Sequence, residues 1–124
     1  VPIRELSELI ECTLLYGSEE HQIFGYTVVN SQNAILNLSP NEFNRIYGWS
    51  TERALIFTDV STGKSPMIAI RVTPFKPPYV ILQGIDMDNV HPLVKQLAEK
   101  DRITVLCTSL DVQEIITRLR NTEW

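Results

Sequence analysis

The stretch that decides the fold is Tyr79-Val-Ile-Leu-Gln-Gly84, continued by Val90-His-Pro-Leu-Val-Lys-Gln-Leu-Ala98 and Arg102-Ile-Thr-Val-Leu-Cys-Thr108. Two short apolar runs flank a segment in which Val90, Leu93, Val94, Leu97 and Ala98 recur at helical spacing, the pattern of a βαβ crossover. The two strands are therefore expected to be parallel and adjacent. A right-handed crossover then brings both strand ends, Gln83-Gly84 and Thr108-Ser109, to one edge of the sheet. A final helix follows, with Asp111 or Ser109 at its start, an apolar stripe of Val112, Ile115, Ile116 and Leu119, and Arg118 and Arg120 in its last turn. The expected fold class is α/β: a mixed sheet with a C-terminal parallel βαβα unit and helices packed on it.

Working back toward the start, Pro2 to Glu11 reads as a short amphipathic helix with Pro2 in its first turn. Cys12 to Tyr16 and Gln22 to Val29 read as strands, and Gly25 inside the second suggests a bulge or a close backbone approach. Ser39-Pro40-Asn41-Glu42 opens a helix with a capping box, and that helix presents Phe43, Ile46 and Tyr47 before Gly48. Arg53 to Thr58 and Met67 to Val72 are apolar runs around a Gly63 turn, read as a β-hairpin. Pro74 to Pro78 is a stiff extended lead, and Glu99-Lys-Asp-Arg102 a charged turn after the crossover helix. Asp88 or Asn89 is the expected cap of that helix.

Composition bounds the function. The chain has 124 residues, 44% hydrophobic and 21% charged, the makeup of one folded domain over residues 1–124. It begins at Val1 and reads as a piece excised from a longer protein. The net charge is −4, and no basic stripe is available to neutralise a phosphate backbone, so direct nucleic-acid binding by this chain is not expected. No leader and no long apolar run occurs, which makes a cytoplasmic setting without a membrane contact the expectation. Cys12 and Cys107 lie in apolar runs and read as buried small hydrophobes. His21 and His91 read as solvated surface histidines. Tyr47, Trp49 and Trp124 suit core packing or an interface.

Two stretches carry chemistry worth weighing. Ser61-Thr-Gly-Lys-Ser65 resembles the end of a phosphate-binding loop, but the glycine required five residues before Gly63 is Thr58, and a strand rather than a helix is expected next. Gly84-Ile-Asp-Met-Asp-Asn89 offers a flexible backbone point with two carboxylates, suited to a hydroxylated or cationic ligand. Thr108-Ser109, at the neighbouring strand end, offers hydroxyls and helix amides. The candidate ligand-binding residues are thus Gln83, Gly84, Asp86, Asp88, Asn89, Thr108 and Ser109. No catalytic set, metal site or cofactor is assembled by the sequence, and an enzyme is not expected.

Several stretches together resemble the N-terminal domain of bacterial HPr kinase/phosphorylase and the related DRTGG regulatory domain. They are Arg4-Glu-Leu6, Leu14-Leu-Tyr-Gly-Ser-Glu19, Ile35-Leu-Asn-Leu38, Glu52 to Thr58 and Pro77 to Ile85. The spacing of Leu97-Ala98, Ile103 to Leu106, Thr108 and Leu110 before Arg118-Leu119 adds to them. The resemblance implies an α/β domain like the substrate-proximal domain of muramyl ligases, with no chemistry of its own. It further implies a regulatory or oligomerising role, as a self-associating module. The alternative is a small-ligand sensor, for an anion or nucleotide, serving as the effector domain of a transcription regulator.

Overall fold

The computed structural model of the chain describes residues 2–19, 22–23, 25–30, 53–71 and 78–122. Within them the order is α1 (Ile3–Leu9), β1 (Thr13–Tyr16), β2 (Gly25–Asn30), β3 (Arg53–Thr58), α2 (Lys64–Arg71), β4 (Tyr79–Gln83), a 3-10 turn (Met87–Asn89), α3 (Pro92–Asp101), β5 (Thr104–Thr108) and α4 (Val112–Arg120). The five strands form one sheet in the order β1-β5-β4-β3-β2. β2, β3, β4 and β5 are mutually parallel, and β1 closes one edge antiparallel to β5. The expected parallel pair is present, with Val80 opposite Val105 and Gln83 opposite Thr108.

Helices cover both faces, which is why β4 and β5 are buried along their whole length and read as unbroken apolar runs rather than alternating ones. Alternation still sorts the side chains. Leu55, Phe57, Val80, Leu82, Val105 and Cys107 pack with Met67 and Ile70 of α2 and Val94, Leu97 and Ala98 of α3. Ala54, Ile56, Ile81 and Leu106 pack with Ile3, Leu6 and Ile10 from α1 and with Ile115 and Leu119 of α4. The first layer follows from topology: successive parallel strands laid down in one direction, with crossovers of one hand, put their helices on the same side.

The structure corrects several expectations. Met67 to Arg71 is helical, so β3 and the following run make no hairpin. Parallel pairing of β3 with β4 requires a crossover, and α2 supplies it. Pro66 stands in the first turn of α2, where a missing N–H leaves no intrahelical bond unmade. Met67 and Ile70 are buried while Ile68 is 42% exposed, a helical period hidden in a β-branched run. Gly63 does hold a positive φ, +81°, as the turn into this helix.

Gly25 pairs in regular register with Arg53, and the irregularity falls in β1 between Leu14 and Tyr16. Residues 99–101 continue α3, which ends at Arg102 in the left-handed conformation. His91, not Asp88 or Asn89, caps α3: its Nδ1 accepts from the Leu93 N–H at 3.0 Å, and Pro92 takes the first helical position. It is therefore a half-buried capping group rather than a solvated one. At α4, Asp111 caps as expected, accepting from Gln113 N–H at 3.0 Å, whereas Glu114 turns to Arg118 instead of closing a capping box. The helix read at 40–47, Tyr47, Trp49, His21, Trp124 and the lead at 74–77 lie outside the described residues.

Candidate functional site: a crevice between β4 and β5

The parallel strands end at Asn30, Thr58, Gln83 and Thr108 along one edge. After β4 the chain turns to the layer of α2 and α3; after β5 it turns to the opposite layer of α1 and α4. Chains leaving adjacent parallel strands toward opposite faces open a crevice at their carboxyl ends, the place where open α/β sheets bind ligands. A cavity of about 70 Å³ occupies this position, lined by Ile85, Asp86 and Met87 after β4, by Cys107, Thr108 and Ser109 from β5, and by Glu11 and Thr13. That volume is about two waters' worth of liquid, and drug-sized sites take ~300 Å³ or more. A nucleotide needs several times the space.

The candidate residues divide by role. Gln83 is 5% exposed, and both ends of its amide are engaged: Nε2 donates to Leu110 O at 2.9 Å, and Oε1 accepts from Asp59 N–H at 2.8 Å. Thr108 is 2% exposed; its hydroxyl donates to Ile10 O at 2.8 Å and accepts from Leu110 N–H at 3.1 Å. Thr108 lines the crevice, whereas Gln83 stands outside the lining and ties together the turns that follow β3 and β5. Gly84, at φ +92°, donates its N–H to Thr108 O at 2.8 Å and stitches the two strand ends together. Asp86 lines the crevice and accepts from Asn89 Nδ2 at 2.9 Å, which steadies the 3-10 turn. Ser109 lines it too, whereas Asp88 and Asn89 are exposed and stand outside the lining.

Glu11, Thr13 and Cys107 were not expected here. They arrive because β1 pairs with β5, Thr13 against Cys107, across more than ninety residues of sequence. The local sequence does carry a trace of Glu11's position: it follows the last turn of α1 at φ +56°, and Cys12 N–H reaches back to Ser7 O at 2.8 Å. That is a Schellman-type end in which glycine is the usual residue, and a glutamate there is conspicuous.

The electrostatics of the crevice are one-sided. Glu11 and Asp86 are carboxylates, and no lysine or arginine is in the lining. Arg118 approaches Glu11 from α4 at 3.3 Å, but it also pairs with Glu114 at 3.0 Å and donates to Leu9 O at 2.8 Å. Burial pushes the Cys107 thiol up to about 11; Cys12, half-buried rather than buried, is pushed up to about 12 by desolvation and by its nearness to Cys107 and Glu19. Both are free thiols. At neutral pH each is a thiolate less than about one time in a thousand, so neither is poised as a nucleophile. Cys107 belongs to the α2/α3 face and Cys12 to the α1/α4 face, so the sheet separates the two side chains.

The turn that resembles a phosphate loop does stand between a strand and a helix, contrary to expectation. It still has Thr58 where a phosphate loop needs a glycine, five residues before Gly63. The N–H groups of Asp59, Val60 and Lys64 already donate to Gln83 Oε1, Gln83 O and Thr62 Oγ1. A larger concavity of about 340 Å³ lies among Pro2, Arg4, Glu5, Glu8 and Glu19, none of which comes from a strand end. Among the described residues no group of three His, Cys, Asp or Glu side chains is placed to hold a metal, and no helix is long and apolar enough to cross a membrane.

No protein-family model matches the chain. It is similar to two curated archaeal proteins, each named an uncharacterized HTH-type transcriptional regulator. With that of Methanocaldococcus jannaschii it shares 46% identity over 120 residues, 96% of this chain and 50% of the relative. With that of Archaeoglobus fulgidus it shares 46% identity over 116 residues, 94% of this chain and 50% of the relative. The chain thus spans about half the length of the curated relatives it matches.

Proposed function

We propose that this chain is the regulatory half of a helix-turn-helix transcription regulator, a domain that senses a small ligand and does not itself read DNA. The observation that carries this reading is the match of nearly the whole chain, at 46% identity, to half of proteins named as HTH-type regulators. The charge of −4 opposes a phosphate backbone. Self-association belongs to the same reading, because regulators of this type meet two half-sites as dimers. So does the resemblance to DRTGG-type regulatory domains.

The sensing site in this reading is the β4/β5 crevice. The lining holds two carboxylates and no lysine or arginine, with Glu11 met by Arg118 from outside it, and this favours a small cationic or hydroxylated group over an anion. No chemistry of the chain's own is part of the proposal.

Fluorescence anisotropy of a labelled DNA duplex tests the division of labour. At about 50 mM salt and up to about 100 μM protein, the 124-residue chain is expected to leave the anisotropy unchanged, because proteins that neutralise several phosphates bind well within that range. Binding that weakens steeply with added salt would assign the DNA-reading role to this half instead.

A further inference from the structure

The crevice and the end of α1 draw on the same atoms. Thr108 lines the crevice, and its hydroxyl donates to the O of Ile10, the C-cap of α1, and accepts from Leu110 N–H. Glu11, the next residue, also lines the crevice, and its carboxylate meets Arg118 of α4 at 3.3 Å. Arg118 in turn caps Leu9 O at 2.8 Å. Two successive carbonyls at the end of α1 are therefore seated by Thr108 from the sheet and Arg118 from the neighbouring helix. The chain of bonds continues through the Leu110 peptide to Gln83 and on to Asp59 N–H at the β3–α2 turn.

We propose that this clasp and the crevice are coupled alternatives. A ligand that accepts from the Thr108 hydroxyl or pairs with the Glu11 carboxylate takes those groups from Ile10 O and from Arg118, so filling the crevice unseats the end of α1 and loosens its grip on α4. By linkage, loosening the clasp from the helix side must equally alter the crevice. The coupling rests on the crevice being the sensing site of the preceding proposal, and it gives that site an output: the α1/α4 layer, on the far side of the sheet from α2 and α3.

Hydrogen exchange on the unliganded chain reads the coupling without knowledge of the ligand. Arg118→Ala is expected to speed exchange of Leu110 N–H, which Arg118 does not touch, by about tenfold, together with Ile10 and Cys12 in the α1 end, while the amides of Val80 to Leu82 keep their rates. Glu11→Gln, which removes only the ion pair, moves the same amides in the same direction by less. Thr108→Val speeds Ile10 and Cys12 from the sheet side, and Thr108→Ser restores them. If Arg118→Ala loosens the α1 end but leaves Leu110 at its original rate, or raises all amides alike, the coupling is wrong, and the sensing reading stands or falls separately on its own ligand test.

Discussion

Replacement of Gly17 by alanine is expected to lower the unfolding free energy by about 3 kcal/mol and the melting temperature by about 10 °C. Gly17 follows β1 at φ +105°, a conformation that an L side chain enters only with strain. An alanine Cβ there would also lie 2.7 Å from Thr104 Cα and 2.8 Å from Thr104 Cβ, so backbone must give way on one strand or the other. What gives way is the pairing of β1 with β5. Ser18 exchanges hydrogen bonds with the Thr104 hydroxyl at 3.3 and 3.4 Å just beyond that contact, and both would be lost. Because β1 carries Thr13 and follows Glu11, the variant should also open the crevice on its β1 side. A thermal melt of the variant reads the first effect; a melting temperature within about 2 °C of the parent would show that the close approach at Thr104 is easily relieved.

Gln83→Leu should cost about 3 kcal/mol in a urea titration, although leucine fills nearly the same volume. The loss is polar: Asp59 N–H and Leu110 C=O would each be left without the partner they now have, and an unsatisfied buried group costs about 1–3 kcal/mol. Those two groups belong to turns that leave β3 and β5, on either side of β4, so one amide fixes the spacing of three strand ends. A cost below about 0.5 kcal/mol would mean that water replaces the amide at this edge, and the three strand ends would then not be held at a fixed spacing by Gln83.

The parts of the fold that the sequence disclosed are those in which local pattern and tertiary environment agree. The β4–α3–β5–α4 unit is such a case: apolar runs of five residues bounded by Gly84 and Arg102, with Leu93, Val94, Leu97 and Ala98 between them at helical spacing. α2 is the opposite case. Ile68, Ile70 and Val72 favour a strand locally, and Pro66 reads as a helix breaker until it is placed in the first turn, where its missing N–H costs nothing. The demand for a parallel partner beside β4, a tertiary fact, overrode that preference. His91 as a helix cap was equally hidden, because Asp88 and Asn89 are better capping residues by type and only the 3-10 turn, closed by Asn89 on Asp86, moves the helix start past them.

The site was half visible for a related reason. Following the two parallel strands to their ends located the crevice and named Asp86, Thr108 and Ser109. It could not distinguish residues that face the opening from those that hold it up. Gln83 and Thr108 are polar at strand ends, as a ligand site would require, but both side chains hydrogen-bond to neighbouring backbone. Glu11 and Thr13 depend on an antiparallel pairing between the first strand and the last, for which no short-range pattern exists.

The sensing role is tested most directly by thermal melting of the chain against a panel of small amines, polyols, metal cations, sugar phosphates and nucleotides, run in parallel with a variant carrying Glu11→Gln and Asp86→Asn. A cationic or hydroxylated member at a hundred times its dissociation constant is predicted to stabilise the parent by about 2.7 kcal/mol, and the variant hardly at all. A panel in which nothing shifts the parent, or in which the shift survives in the variant, would contradict a ligand site between β4 and β5.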